Sequence, residues 1–180
     1  MAKNLKTLDI VQIAMFAAIM AICSWISIPT AVPFTLQTLG LFMCIGMLGG
    51  KKGSIAVAIY LLLGLMGVPV FASFTGGIGV FVGPNGGYLI GFLLASLTMW
   101  LMEKLPNSSL RLPLSMAIGQ IICYAVGSFW YVSIYIKSTG EVGFLSALST
   151  CVLPYVIPDM LKIALALLLC KRINLKESDS

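Results

Sequence analysis

Histidine is absent from all 180 residues, only six residues are acidic, and charged side chains make up 9% of the chain. Without histidine, imidazole acid–base catalysis and the common histidine-bearing zinc sites are excluded. The five cysteines (Cys23, Cys44, Cys123, Cys151 and Cys170) form no CxxC pair and all lie in or beside apolar segments. They read as small buried hydrophobes rather than metal ligands or redox thiols. No phosphate-binding loop of the Walker type is present, and Gly77-x-Gly79 is next followed by glycine only at Gly83. Neither ATP hydrolysis nor dinucleotide binding fits that pattern. Paired catalytic carboxylates and an activated nucleophile are lacking too, so the chain does not read as an enzyme.

What is present is apolar: 59% hydrophobic residues and a mean hydropathy of +1.05. Soluble domains carry roughly a quarter charged residues, so composition predicts an integral membrane protein. A spanning chain must satisfy its backbone internally, which here means helices. The net charge of +5 does not suggest nucleic acid, because the basic residues sit between apolar segments instead of on one face.

Six transmembrane helices are predicted, at about 8–28, 34–49, 54–70, 87–104, 111–135 and 147–170, in a single all-α domain covering 1–180. The first run, Leu8 to Ile28, is as long as a span and longer than a usual signal-peptide core, so it is taken as an uncleaved helix. The sequences "GGKKGS" and "EKLPNSSLRLP" separate the second from the third and the fourth from the fifth. With both termini cytoplasmic, nine of the eleven basic residues fall on the cytoplasmic side, as the positive-inside rule requires. The two others are Lys137, in the predicted fifth-to-sixth connection, and Lys162, inside the last helix. A five-span arrangement with segments two and three as one re-entrant hairpin is the alternative. On the outer side, residues 67–86 form a long connection rich in glycine and phenylalanine, a composition suited to a structured, functional loop.

Asp159 and Lys162 are the leading site candidates. Three residues apart, they share a helical face, and Pro154 and Pro158 break or begin the helix around them. Ionisable groups inside a membrane are costly and mark function by default. A carboxylate accepts N–H donors and an ammonium receives an anionic group, so the pair suits a ligand with both. A purely structural ion pair is the plainer reading. A proton relay is disfavoured, since histidine and a second acidic residue deep in a span are missing.

"GPNGGY" adds Asn85, Gly86, Gly87 and Tyr88, facing the ligand; a turn role for Asn85 is equally open. "PFTLQT" places Gln37 in the first turns of helix two, with Thr35 as its capping residue. Ala14-xxx-Ala18 and Ala17-xxx-Ala21 offer small-residue faces, for packing within the bundle or docking on a second membrane protein. The chain shows no paired halves of the kind common in secondary transporters, which points to a partner or a second copy for transport.

"PFTLQTLGL", "GGIGVFVGPNGGYLIGF" and "PDMLKIALA", in this order and spacing, resemble the BioY family, the biotin-specific substrate-binding subunits of energy-coupling factor (ECF) transporters. The resemblance covers nearly the whole chain. It implies a six-helix bundle in a prokaryotic cell membrane that captures biotin from outside, with no cofactor. It also implies partners: a membrane scaffold subunit and two ATP-binding subunits. Asp159 would accept a ureido N–H of biotin, and Lys162 would hold a polar end, preferably the valerate carboxylate. Tyr88 and the adjoining glycines would line the pocket, with Asn85 and Gln37 as further candidates, and Ala14, Ala17, Ala18 and Ala21 would dock on the scaffold. Competing classes are an ion-coupled carrier acting as a homo-oligomer and a structural membrane protein with an internal ion pair.

Overall fold

Long apolar segments that cannot leave backbone groups unpaired in lipid coil into helices, and helices account for most of the chain. The computed structural model describes residues 6–28, 34–106, 108–139 and 152–173. Among them are α1 (Thr7–Trp25), α2 (Gln37–Leu48), α3 (Gly50–Leu65), α4 (Ile78–Val82), α5 (Gly86–Glu103), α6 (Arg111–Thr139) and α7 (Leu153–Arg172). Four are long and apolar enough to cross a membrane: α1, α5, the Arg111–Ile134 part of α6, and α7. At 1.5 Å per residue, α2 is about 18 Å long and α3 about 24 Å, both short of a hydrocarbon core of about 30 Å.

These two short helices form a hairpin. Gly49 alone separates them, at φ 79° and ψ 167°, a conformation open to glycine and little else. Ile45 and Gly53, each four residues from that turn, lie so close that a Cβ on Gly53 would sit 2.8 Å from the Ile45 Cα. Helix α3 therefore starts at Gly50, not 54, and takes Lys51 and Lys52 into its first turn. Two bonds secure that start: Lys52 Nζ lies 2.8 Å from Asp9 Oδ1 on α1, and the Gly50 amide donates to Glu103 Oε2 on α5 at 2.5 Å. Asp9, an acidic residue inside the first predicted segment, is thus committed to an ion pair.

Other boundaries shift for similarly local reasons. Helix α2 begins at 37 instead of 34, because Phe34 and Thr35 form strand β2 and pair antiparallel with β1 (Ser27–Ile28). This small ribbon is a departure from the all-α expectation. The N-cap position falls on Leu36, not Thr35; Thr35, one residue earlier, accepts the Gln37 amide through Oγ1 at 3.2 Å. Helix α3 ends at Leu65 and not 70, just ahead of Gly67 (φ 96°). Helix α6 runs on to Thr139, placing Lys137 within it and not in a connection. The predicted start of the last helix, 147–151, lies outside the described residues, as does Cys151.

The α5–α6 pair packs through small residues. A Cβ on Gly91 would stand 3.1 Å from the Cys123 Cα, one on Gly127 would enter the Tyr88 ring, and one on Gly87 would strike Trp130. Close approach of this kind suits helices that gain little from burying apolar surface against one another in lipid.

The glycine- and phenylalanine-rich connection, residues 67–86, is structured, as its composition suggested. A 3₁₀ turn (Ala72–Phe74) and α4 lie within it, and Ser73 and Phe74 both have positive φ, 56° and 57°. Its anchors are on α1 and α3. Trp25 Nε1 donates to Pro69 O at 2.8 Å and stacks on Phe74, while Tyr60 Oη donates to Val70 O at 2.9 Å. Phe71 is 2% exposed; it lies directly on Gly64 and meets the Tyr60 and Phe81 rings edge-on.

Candidate functional site

Helix α7 begins with Pro154 in its first turn and continues through Pro158. The first proline uses a position where no amide hydrogen is needed. The second removes one N–H bond inside the helix, one turn after the start and beside the charged pair. Asp159 and Lys162 are 6% and 7% exposed, and Lys162 Nζ lies 2.7 Å from Asp159 Oδ1.

Both charges are fully partnered. Asp159 Oδ1 also accepts from Thr38 Oγ1 at 3.4 Å, and Oδ2 accepts from Gln120 Nε2 at 2.8 Å and from the Tyr124 hydroxyl. A carboxylate offers about four lone-pair sites, so the set is complete. Lys162 donates in addition to Thr35 O at 2.6 Å and stands 4.1 Å from the centre of the Phe34 ring, a favourable cation–π distance. One ion pair thereby joins β2, α2, α6 and α7. A buried pair is tolerable when hydrogen bonds satisfy both partners, and here they do.

The pair lines a cavity of about 350 Å³, within the usual size range for small-molecule sites. Of the sequence candidates, Asp159, Lys162, Gln37, Asn85 and Tyr88 all line it. Phe34, Phe71, Leu89, Phe92 and Tyr155 supply apolar and aromatic wall. Gln37 is held from the side, its Nε2 donating to Tyr60 Oη at 2.7 Å. Asn85 precedes α5 without capping it, and its Oδ1 is buried with no hydrogen-bond partner among the described residues.

Two candidates fall outside the lining: Gly86 and Gly87 do not line the cavity. A Cβ on Gly86 would collide with the Phe81 backbone and one on Gly87 with Trp130, so both permit close packing of the protein on itself. The alanine face also divides. Ala17 and Ala21 are buried inside the bundle, whereas Ala14 and Ala18 are exposed on its outside.

Sequence reasoning passed over Thr38, Gln120 and Tyr124. Gln120 and Tyr124 were detectable: they are polar residues four apart in an apolar helix, hence on one face. Their partnership with Asp159, 39 and 35 residues away, was not.

A partly open cavity among apolar helices, with one buried ion pair in its lining, suits a membrane protein that binds a small polar-ended molecule. Comparisons with known proteins show its family. The BioY family model matches residues 1–178, and the chain belongs to that family, one of transporters and not of enzymes. It is 38% identical over 167 residues to the biotin transporter BioY of Thermotoga maritima, covering 92% of this chain and 95% of the relative. It is 33% identical over 171 residues to a probable biotin transporter BioY of Pyrococcus horikoshii, covering 94% and 98%. A crystal structure of the S-component for biotin from an ECF-type ABC transporter superposes with a TM-score of 0.83 at 28% identity, covering 96% of this chain and 94% of the other.

Proposed function

We propose that this chain captures biotin outside a prokaryotic cell as the substrate-specificity subunit of an ECF-type uptake transporter. The observation that carries the reading is the cavity itself: aromatic and apolar walls around one buried Asp159–Lys162 pair, in a chain of the BioY family. Biotin has the complementary parts. Its ureido ring donates and accepts hydrogen bonds, its carboxylate suits an ammonium, and its thioether ring and aliphatic tail suit the walls. Asp159, Lys162, Tyr88, Asn85 and Gln37 are the proposed contacts.

The proposed topology is one domain of six spans with both termini cytoplasmic, α2 and α3 counting as the short second and third. The distribution of charge supports it. A second cavity, of about 450 Å³, is lined by Gly50, Glu103, Arg111 and Lys171; its basic residues support assigning that end to the cytoplasm and the first cavity to the outside.

The test is thermal unfolding of the purified protein with biotin, thiamine or riboflavin. A ligand that binds only the folded state raises the midpoint, by about 2.7 kcal/mol of stabilisation at a hundred times its Kd. Biotin alone is expected to do so, without ATP or an ion gradient. A response to another vitamin and not to biotin rejects the substrate.

Transport requires energy that this chain has no loop to harvest, so the scaffold and two ATP-binding subunits are the proposed partners. Ala14 and Ala18, exposed and one turn apart, are the proposed docking face; Ala17 and Ala21 serve the bundle. Ala18→Trp is expected to abolish co-purification with the scaffold while leaving biotin-induced stabilisation intact. Unchanged co-purification would remove α1 from the interface.

A further inference from the structure

Gln120 lies on α6, 6% exposed, and lines the first cavity. One N–H of its carboxamide donates to Asp159 Oδ2 at 2.8 Å. Its Oε1 is buried and has no hydrogen-bond partner among the described residues. Turning the amide over would bring that oxygen against a carboxylate, so the bond to Asp159 fixes which atom is left over. A buried acceptor without a donor is rare in a folded protein, and this one belongs to a residue of the cavity wall.

The neighbouring groups narrow what can donate to it. Asp159 already receives four donors and Lys162 is committed to Asp159, Thr35 and the Phe34 ring. Among the described residues of the cavity wall, two buried side-chain acceptors are unused, Asn85 Oδ1 and Gln120 Oε1, and Gln120 is the one bonded to the pair. The geometry points to Gln120 as a specificity-determining residue that accepts an N–H of the ligand's cyclic urea through Oε1 while its own N–H keeps Asp159 in place. This rests on the biotin reading above and adds a residue to it. A urea edge presents N–H beside C=O, and a carboxamide presents C=O beside its second N–H, so the two match at two points. A lactone or carbonate edge lacks the N–H and leaves Oε1 unsatisfied.

The experiment compares biotin with two analogues, each with one ureido N–H replaced by a ring oxygen, and with biotin methyl ester. Affinities are measured by calorimetry on the wild type, Gln120→Met and Gln120→Asn. In the wild type one of the two replacements is expected to weaken binding at least tenfold. In Gln120→Met, biotin itself binds at least tenfold more weakly and the penalty for that replacement falls below threefold, while the ester penalty stays unchanged. Such non-additivity identifies a direct contact. Equal replacement penalties in wild type and variant overturn the proposal, since Gln120 would then only position Asp159. If Gln120→Met does not fold, Gln120→Asn, which keeps the amide but withdraws it, carries the same comparison. Tolerance of both replacements by the wild type overturns the proposal without any variant. Failure of the wild type to bind biotin at all rejects the biotin reading instead, leaving a separate and recognisable result.

Discussion

Lys162→Met is expected to damage the protein more than Lys162→Met combined with Asp159→Asn. The single change strands a carboxylate at 6% exposure with no cation, and breaking one side of a buried pair costs about 3–5 kcal/mol of stability. The double change removes both charges, while Thr38, Gln120 and Tyr124 can still bond an amide. Stability should therefore return in the double variant, as measured by thermal unfolding in detergent. Binding should not. A hydrogen bond to a charged group contributes about 1.5–3 kcal/mol, so Asp159→Ala, Lys162→Ala and the double variant should each lose roughly ten- to a hundredfold in biotin affinity by calorimetry. A double variant that both folds and binds like the wild type would reduce the pair to a structural strut.

Phe71→Ala should be the most destabilising apolar substitution at the cavity. The ring is 2% exposed and wedged over Gly64, with edge contacts to Tyr60 at 5.5 Å and Phe81 at 5.6 Å between centroids. Truncating a buried phenylalanine costs about 3–5 kcal/mol, through lost contacts and the void left behind. The loss should be concentrated in the connection after α3, because Phe71, the Val70 carbonyl and the Gly77 amide, which donates to Gly64 O at 2.6 Å, tie that segment to α3. Two measurements check it: the unfolding midpoint, and protease cleavage between 67 and 77. Phe71→Leu should fall between wild type and alanine. A Phe71→Ala protein as stable and as protease-resistant as the wild type would show that the connection is held from elsewhere.

The sequence disclosed the parts of this molecule that depend on composition and on short spacings. Apolar runs located the helices, and the i, i+3 spacing put Asp159 and Lys162 on one face. What it hid depends on distant groups meeting. The start of α3 could not be placed at Gly50, because two lysines look unfit for a helix entering lipid until Asp9 and Glu103 are known to lie beside that turn. Gly86 and Gly87 looked like pocket residues because they adjoin Tyr88 in the chain. Only the positions of Phe81 and Trp130 show that their missing side chains make room for protein. The four alanines read as one surface, yet helical geometry turns one pair inward and one outward. Gln120 was visible as a polar residue and still uninformative, since its meaning comes from Asp159.

The saturated carboxylate of Asp159 bears on how rivals are refused. With every lone pair already occupied, a newcomer cannot simply add a contact; it has to evict a resident donor and take over its role. A molecule that evicts without replacing leaves a bare charge in a dry place. Near-misses that cannot replace the donor they displace are expected to bind weakly, because a site that hydrogen-bonds its substrate can turn away an analogue lacking one group by about 10⁴–10⁵.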